Sequence, residues 1–378
     1  MLTIMKRLLI IFYCVIAYSI GYTQTPLNDS HWTNQWVDYF NLMSPFFNGS
    51  EYFLKNSNNN LNWKILNYHT RGNSPSIILQ GNSSILNTGL RLNVNKIYNS
   101  TNWIYNNNKI YEFTSGEINS CNTRFVKYGF VEIKAKMNDE YGLWPSFWLL
   151  SINGNYEEEI DIFEMIPGSI EGDGVIHDKN IMTSSIHKCN PNILNDPNRY
   201  DNGTIIKIND YTISHTYAVE WSPSKLLYYF DGIIIKTENN PFQSNDPKTI
   251  ILSIGLNPWV HYNYSTGPKE YYRPDTTAWT PNYYNLTNFT NATMDVEYVK
   301  YDKLNMDECN LDYPINNIYD LNGYNSLVKK NILIDGTTNI IKGNRSPNVL
   351  RASESIIINK NFEVPIGKEL YLDVNPCY

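Results

Sequence analysis

Short runs of β-branched and aromatic residues, separated by turn residues, recur along the chain from residue 25 onward. None of these runs continues as the apolar stripe at helical spacing that an amphipathic helix requires. Most of them alternate apolar with polar residues, so each predicted strand buries one face. The pattern is typical of an all-β sandwich of antiparallel sheets. Examples are the segments 128–137, 216–221, 226–230 and 295–301.

The turn between two of these runs can be assigned a type. Asp231 and Gly232 stand between Phe230 and Ile233. Both turn residues can adopt the positive φ angle that a type I′ turn requires. We therefore predict a two-residue β-hairpin at this position.

Composition and charge restrict the class of protein. Of the 378 residues, 42% are hydrophobic, which is enough to form at least one large core and excludes a disordered polymer. Acidic residues outnumber basic ones by 37 to 30, the formal net charge is -7, and no run of Lys or Arg occurs. We therefore expect neither nucleic acid nor an anionic membrane surface as a partner. We also expect a monomer.

The N-terminus has the features of an export signal. Lys6 and Arg7 precede an apolar run at residues 8–20, which is too short to span a bilayer as a helix. Small residues around position 21 provide a cleavage site, so we predict a signal peptide at residues 1–24. The mature protein would be secreted, periplasmic or attached to the cell surface, without membrane insertion. An uncleaved membrane anchor is the alternative interpretation.

A change of composition near Lys303 divides the remaining chain. We predict a large β domain over residues 25–303 and a small β-rich C-terminal module over residues 304–378. A module of this size buries only a small core, so a covalent cross-link would stabilise it. No solenoid-type repeat is evident in the sequence.

Four cysteines remain after the predicted cleavage, and in an exported protein an even number indicates disulfides. They can pair in three ways, and we favour Cys309 with Cys377 because these two bracket the C-terminal module. The spacing of the cysteines and histidines does not suit zinc, so no metal site is predicted. The four residues are Cys121, Cys189, Cys309 and Cys377.

The segment from Glu159 to Glu164 carries the strongest functional signal. On an extended strand Glu159 and Asp161 lie on one face, and the isoleucines that alternate with them lie on the other. Glu164 would then point to the apolar side, unless one β-bulge near Ile162 returns it to the acidic face. Like charges along one face repel each other, so a structural role alone does not explain the row. A solvated strand face is the alternative interpretation.

Two glutamates on a bent strand match the chemistry of glycoside hydrolysis with retention, which needs two carboxyl groups about 5–5.5 Å apart. In this interpretation Glu159 attacks the anomeric carbon, while Glu164 protonates the leaving oxygen and later activates water. Asp161 lies between them and holds a proton or a hydrogen bond that tunes the nucleophile. These three residues are the predicted catalytic residues.

The strand that precedes this segment presents two tryptophans. Trp144 and Trp148 share one face, and the residues between them include Phe147, which lies on the other face with Leu149. Flat indole rings that face an acidic strand are suited to stack on sugar rings. We predict that both tryptophans bind substrate, with burial in the core as the alternative.

The acidic segment and several other blocks also resemble a known family. Glu159-Ile-Asp-Ile-Phe-Glu164 is similar to the E-x-D-x-x-E signature of glycoside hydrolase family 16, in the bulged form of laminarinases, agarases and carrageenases. Four further blocks resemble other strands of that family and occur in family order. They are Tyr128–Ile133, Gly142–Trp148, His215–Pro223 with Phe230–Gly232, and Met294–Val299.

The resemblance covers the predicted large domain and implies a β-jelly roll of two curved antiparallel sheets with a concave substrate cleft. It gives Glu159 the role of nucleophile, Asp161 that of assisting acid and Glu164 that of acid/base. His187 falls where the family commonly lines its sugar subsites, and a histidine bonded within the sheet is the alternative. The C-terminal module resembles, more weakly, small repeat-strand modules of secreted bacterial enzymes.

These features together predict a secreted, retaining endo-glycosidase that hydrolyses β-1,3- or mixed β-1,3/1,4-glucan, with the polysaccharide as its partner. A hydrolase of agar- or carrageenan-type galactan is the alternative within the same chemistry. Ser253 stands where many family members have Asn, which leaves the substrate open. A non-catalytic, lectin-like polysaccharide binder is the alternative from another class. No cofactor is required, and the sequence does not establish whether a structural calcium is bound.

Overall fold

The computed structural model describes most of the chain between Trp32 and Cys377. The predicted signal peptide at residues 1–24 lies outside the described residues, and so does Cys121. The described residues are 32–48, 50–58, 60–71, 74, 76–98, 104–106, 109–111, 113–120, 124–140, 142–152, 157–167, 180–190, 196–197, 199–208, 210–242, 246–257, 291–304, 308–315, 326–334, 348–359, 362, 364, 370–374 and 377.

Strands dominate the described residues, and the predicted all-β class is confirmed. Helical structure in this part of the chain consists of 3-10 turns at Phe40–Leu42, Gln80–Asn82 and Glu308–Asn310. Within the described ranges, no helix has the length and apolar character needed to cross a bilayer. The strands are β1 Trp32–Tyr39, β2 Ser44–Asn48, β3 Glu51–Lys55, β4 Leu61–Ile65, β5 Ser76–Ile78, β6 Ser83–Leu86, β7 Gly89–Lys96, β8 Ile104–Asn106, β9 Lys109–Tyr111, β10 Phe113–Asn119, β11 Phe125–Val126, β12 Gly129–Met137, β13 Leu143–Ser151, β14 Glu157–Glu164, β15 Ile181–Cys189, β16 Tyr200–Lys207, β17 His215–Trp221, β18 Lys225–Phe230, β19 Ile233–Asn239, β20 Lys248–Leu256, β21 Asn291–Leu304, β22 Asp312–Ile315, β23 Ser326–Ile334, β24 Asn348–Ile358 and β25 Leu370–Val374.

Two sheets form the predicted sandwich. The front sheet has the order β2-β3-β4-β10-β20-β13-β14-β15-β16, and its neighbouring strands are antiparallel. The back sheet has the order β19-β18-β17-β12-β21, and both β1 and β7 pair with β21. Strand β10 joins the two sheets, because its first residues pair with β5 and β7 and its last residues pair with β4 and β20.

The main core lies between the two sheets and takes the inward-facing residues of both. Phe147 and Leu149 of β13 are fully buried there, as are Val131 and Ile133 of β12. Burying a side chain of this size contributes about 1.5–3 kcal/mol. Since the inward positions hold the sheets together, the outward positions of the front sheet are available for polar residues.

The predicted hairpin at Asp231 and Gly232 is confirmed. Phe230 pairs with Ile233 across the turn. The φ angles of the two turn residues are 49° and 77°, the positive values that a type I′ turn requires. Asp231 also holds the neighbouring strand, because its carboxylate lies 2.6 Å from His215 Nδ1.

Strands β22 to β25 form a separate sheet in which all neighbours are parallel. Paired residues such as Asp312 with Asn331, or Leu350 with Leu372, are about 20 positions apart, the spacing of one coil of a solenoid. The sequence shows no repeat at this spacing, because the shared feature of these strands is a few buried apolar positions such as Ile332 and Leu350.

This C-terminal sheet packs on the outward face of the back sheet. Arg351 of β24 forms an ion pair with Glu220 of β17, and both side chains are 1% exposed. Arg351 Nε also donates to Asp373 Oδ2 of β25 at 3.1 Å. Tyr371 packs against an apolar cluster that includes Phe130 of β12. Buried charges and apolar contacts together fix the C-terminal sheet to the sandwich.

Cys309 and Cys377 form a disulfide, which confirms the pairing favoured from the sequence. The bond links residues 68 positions apart and encloses strands β22 to β25. A cross-link of this kind stabilises a fold mainly by restricting the unfolded chain.

We expect Cys377→Ser to lower the free energy of unfolding by about 2–4 kcal/mol, because the unfolded chain gains freedom when the loop is opened. Urea denaturation followed by tryptophan fluorescence measures the change. Cys189→Ser, on β15 and outside this disulfide, is the matched control and should cost less than about 1 kcal/mol. Equal losses in the two variants would contradict the prediction.

Candidate active site

An open cleft of about 520 Å³ lies on the outward face of the front sheet. All three predicted catalytic carboxylates and both predicted tryptophans contribute to its lining. The described lining residues are Arg71, Ser74, Ser76, Ile78, Ser115, Glu117, Trp144, Ser146, Trp148, Leu150, Glu159, Asp161, Glu164, Ser253, Ile254 and Gly255. Most of them come from strands β10, β13, β14 and β20, which lie side by side.

The acidic strand β14 contains the predicted β-bulge. On its β13 side, Asp161 and Phe163 pair with consecutive residues, so Ile162 is the extra residue. On its β15 side, the register shifts between Asp161 and Glu164. A bulge of this kind inserts one residue into a strand and changes the direction of the side chains that follow.

The bulge brings Glu159, Asp161 and Glu164, here called the acidic row, to one face of the strand. Ile162 and Phe163 are both buried in the core, although they are adjacent in sequence. In a regular strand adjacent side chains point to opposite faces. With the extra residue, Glu159, Asp161 and Glu164 all line the cleft. The common face predicted for the three carboxylates is therefore present in the structure.

The three carboxyl groups are crowded and largely removed from water. Burial raises the pKa of Glu159 well above its usual value, and the charges of Asp161 and Glu164 raise it further. Burial also raises the pKa of Asp161, with the charge of Glu164 as the next cause. Glu159 and Asp161 share a hydrogen bond. Glu159 and Asp161 therefore retain protons at a pH where isolated carboxyl groups have lost them.

Both predicted tryptophans are half-buried beside the acidic row. Trp144 Nε1 donates a hydrogen bond to Glu164 Oε1 at 2.7 Å. Trp148 Nε1 donates to Ser253 Oγ at 3.2 Å. Each hydrogen bond fixes an indole by its polar edge, so the orientation of the ring in the cleft is defined. The alternative of tryptophans buried in the core does not describe these positions.

An arginine and a glutamate extend the cleft beyond the predicted residues. Arg71 Nε donates to Oε2 of the fully buried Glu117 at 2.9 Å, and the guanidinium lies 4.9 Å from the Trp148 ring centre. Burial opposes the charge of Arg71, but the hydrogen bonds and charge of Glu117 outweigh it, and the net pKa of Arg71 is raised. The charge of Glu159 adds to this effect. No sequence motif marks the pair, because its members are 46 positions apart.

His187 lies beside the acidic row and is not among the lining residues of the described cleft. It pairs with Glu159 across strands β14 and β15. Its Nε2 is 3.2 Å from Asp161 Oδ2, and its Nδ1 is 2.8 Å from Asp201 Oδ1 of β16. Both ring nitrogens thus face carboxylates of neighbouring strands, as in a histidine bonded within the sheet. Contact between His187 and a sugar stays a prediction.

Potential metal ligands also meet at this position. Among the described residues, Glu159, Asp161 and His187 have ligand atoms within 4.8 Å of one another. Two of them share a hydrogen bond, which keeps a proton on the pair. A metal ligand must be deprotonated. A metal ion at this position would have to displace that proton.

Comparison with known families agrees with this geometry. The family model of glycosyl hydrolases family 16 matches residues 77–280, which is more than half of the chain. The chain belongs to this family. The family 16 match includes the acidic row, both tryptophans and Ser253, and it ends before β21.

Two relatives and one solved structure illustrate the similarity. Endo-1,3-1,4-beta-glycanase ExsH of Rhizobium meliloti (strain 1021) is 29% identical over 146 residues, which are 39% of this chain and 28% of that protein. Glucan endo-1,3-beta-glucosidase A1 of Niallia circulans is 29% identical over 150 residues, 38% of this chain and 20% of that protein. The matched region thus spans less than a third of either relative. The laminarinase catalytic domain from Thermotoga maritima MSB8 is 17% identical with a TM-score of 0.45, covering 72% of this chain and 98% of that chain.

The raised pKa of Asp161 predicts how its substitution changes stability with pH. A group whose pKa is raised on folding stabilises the fold below its unfolded pKa, and this contribution is lost as pH rises through the folded pKa. Asp161→Asn stays neutral, so we expect it to be more stable than the wild type by about 1–2 kcal/mol at neutral pH. The difference should shrink as pH falls toward 4, the ordinary range of a carboxyl group. Thermal denaturation at a series of pH values measures it.

Asp201→Asn is the matched control for this experiment. Burial opposes the ionised form of Asp201, but hydrogen bonds from Arg199 and His187 outweigh it and lower its pKa. The contribution of Asp201 is therefore present above its unfolded pKa and lost at low pH. Asp201→Asn should lose stability at neutral pH, opposite in sign to Asp161→Asn. If both variants gain stability at neutral pH, or both lose it, the raised pKa of Asp161 does not explain the effect of Asp161→Asn.

Proposed function

We propose that this protein is a retaining endo-glycosidase that hydrolyses β-1,3- or mixed β-1,3/1,4-glucan. The observation that carries the proposal is the bulged strand, which aligns Glu159, Asp161 and Glu164 along one cleft. Glu159 acts as nucleophile, Glu164 as acid and then base, and Asp161 as the group that holds a proton beside the nucleophile. Trp144 and Trp148 bind the sugar chain.

The reaction has two displacements at the anomeric carbon. In the first, a carboxylate oxygen of Glu159 bonds to that carbon while Glu164 donates its proton to the departing glycosidic oxygen. In the second, Glu164 removes a proton from water, and the water oxygen replaces Glu159 at the carbon. Each step inverts the carbon, so the product retains the β configuration.

The surroundings of the two glutamates differ in a way that suits these roles. Against the effects of burial and of the neighbouring carboxylates, the charge of His187 lowers the pKa of Glu159, and Glu159 also interacts with the positive charge of Arg71. These two positive neighbours favour a carboxylate that carries negative charge until it attacks. Glu164 stands at the other end of the row, where Trp144 orients it from the edge of the cleft. A proton donor placed beside an indole lies close to a sugar that stacks there.

The charge of the cleft favours a neutral polysaccharide. Arg71 is the one cation among the described lining residues, and its charge is compensated by Glu117. A sulfated galactan would find no uncompensated cation among these residues to bind its sulfate groups, whereas a neutral glucan needs none. The name of one relative, glucan endo-1,3-beta-glucosidase A1, agrees with a glucan substrate, and that of the other, endo-1,3-1,4-beta-glycanase ExsH, agrees with the proposed linkages.

We further propose that the protein acts outside the cytoplasm, either secreted or held at the cell surface or in the periplasm. The apolar run after Lys6 and Arg7 supports cleavage near residue 24. The disulfide between Cys309 and Cys377 also supports an oxidising compartment. A monomer with a polysaccharide as its partner fits the open cleft and the acidic charge.

A panel of polysaccharides tests the substrate. We expect the purified protein to release reducing ends from laminarin and from mixed-linkage β-glucan, with oligosaccharides as early products. Agarose and κ-carrageenan should be cleaved at least about 100-fold more slowly, because a site shaped for other hydroxyls leaves polar groups unpaired. If agarose or κ-carrageenan is cleaved faster than the β-glucans, the substrate is a galactan and the proposal of a glucan substrate is wrong. No cleavage of any member of the panel would contradict hydrolysis.

Substitution of the nucleophile separates an enzyme from a lectin. We expect Glu159→Gln to lose about 10⁴-fold or more in kcat, because the group that bonds to carbon is gone. Its binding to laminarin, measured by affinity electrophoresis, should stay within about threefold of the wild type. Equal turnover by wild type and variant would refute the assignment of Glu159.

Rescue by azide distinguishes the two glutamates. In Glu159→Ala, azide should attack from the vacated side and give an α-glycosyl azide from an activated β-glycoside. In Glu164→Ala, azide should instead open the covalent intermediate and give a β-glycosyl azide. The reverse stereochemistry in the two variants would exchange their roles.

A further inference from the structure

The bulge in β14 leaves backbone groups that need partners from outside the strand ladder. A bulge disrupts the ladder locally, and buried carbonyl groups are almost always hydrogen-bonded. The carbonyl of Ile162, the extra residue, accepts a hydrogen bond from Ser184 Oγ at 2.8 Å. Ser184 is fully buried on β15, directly across from the bulge. Its own carbonyl accepts a hydrogen bond from Lys236 Nζ at 2.9 Å.

Lys236 reaches this point from the other sheet. It lies on β19 of the back sheet and is 8% exposed. Its ammonium group crosses the space between the sheets and contacts the front sheet from beneath, on the side opposite the cleft. It also donates to the carbonyl of Asn202 on β16 at 3.3 Å, so it links two adjacent front-sheet strands.

A polar network and one aromatic ring lie close to the ammonium group. Glu238 Oε2 lies 4.0 Å from Lys236 Nζ and accepts from Asn202 Nδ2 at 2.7 Å. Tyr200 donates its hydroxyl to the other oxygen of Glu238 at 2.8 Å. The ring of Tyr228 lies 5.2 Å from Nζ. These contacts determine where the lysine charge sits.

The position of this charge also affects the acidic row. Burial lowers the pKa of Lys236, while the charges of Glu238 and Asp161 raise it. In return, Lys236 opposes the effects of burial and of Glu164 that raise the pKa of Asp161. The titratable groups that face Asp161 are Glu159 and Glu164 on its own strand, His187 on β15, Tyr228 on β18 and Lys236 on β19.

We propose that Lys236 is a positioning residue for the catalytic strand. Its ammonium group holds the Ser184 peptide, which in turn holds the bulge at Ile162 that turns Glu164 toward the cleft. It also places a positive charge beneath the acidic row. The lysine touches no substrate and acts through Ser184 and Asp161. This inference rests on the proposed glycosidase function for its kinetic consequences, and its structural consequence can be measured without turnover.

Two variants separate the geometric effect from the charge. Lys236→Met removes the ammonium group and keeps the length of the side chain. We expect kcat on laminarin to fall about 10–100-fold with KM nearly unchanged, since a small misplacement of reacting groups has this effect. The acid limb of the pH profile should move to higher pH, because Asp161 loses a neighbouring cation. Ser184→Ala should lower kcat while leaving the acid limb in place.

Lys188→Met is the matched control. Lys188 is a buried lysine on β15 whose ammonium donates to the carbonyl of Pro241 at 3.4 Å, away from the bulge. Its substitution should leave both kcat and the pH profile close to the wild type. If Lys188→Met and folded Lys236→Met behave alike, general loss of a buried lysine explains the effect and the proposal fails. Lys236→Arg, which retains the charge, should keep the acid limb of the wild type.

A carboxyl titration by ¹³C NMR gives a readout that does not require activity. The Asp161 signal should titrate at higher pH in Lys236→Met than in the wild type, and at the wild-type pH in Ser184→Ala. An unchanged Asp161 titration in folded Lys236→Met refutes the proposal. If Lys236→Met does not fold, the proposal is refuted when Ser184→Ala has the same kcat as the wild type. An inactive wild type would refute the glycosidase function alone, and the titration would still decide the role of Lys236.

Discussion

Burial of two adjacent apolar side chains, Ile162 and Phe163, is the constraint on which the active site depends. Each contributes about 1.5–3 kcal/mol when it leaves water. A regular strand would bury only one of them and would bring Glu164 into the core, where an unpaired charge costs several kcal/mol. One extra residue in β14 satisfies both requirements. The alignment of the acidic row is thus a consequence of core packing.

Several buried charges outside the acidic row, among the residues that the structure describes, have close partners of opposite sign. Lys248 lies 2.9 Å from Glu158, and both are almost fully buried. Glu159 and Asp161 instead have carboxylates as neighbours on their own strand. After burial, these like charges are the next cause that raises the pKa of each. A perturbed pKa alone does not locate a site, however. Glu132 has a pKa raised to about 8 by burial, and it lies on β12, away from the cleft.

The parts of the structure that sequence predicts are those fixed by local rules. Alternation places Phe147 in the core and Trp148 at the cleft, and the spacing of Glu159 and Glu164 requires a bulge between them. Contacts between distant segments have no such signature. Arg71 meets Glu117, and Lys236 meets Ser184, only because the sheets bring their strands together.

The parallel pairing in the C-terminal sheet also could not be predicted from the sequence. Parallel neighbours need long connections, and the residues that matter are a few inward apolar positions on each coil. Such positions are too sparse to be read as a repeat. The pairing of Cys309 with Cys377 could be predicted because cysteines are few and their spacing brackets the segment.

The C-terminal sheet covers the outward face of the sandwich that lies opposite the cleft. The front face is open at the acidic row, whereas the back face is covered at Glu220 by Arg351. Removing one partner of a buried ion pair costs about 3–5 kcal/mol, so substitution of Arg351 alone would leave Glu220 as an uncompensated charge beneath the C-terminal sheet. Strand β17 of Glu220 pairs with β18, and β18 pairs with β19, which carries Lys236. The C-terminal sheet is thus connected through paired strands to the strand that carries Lys236, although no residue of that sheet lines the cleft in the described part of the chain.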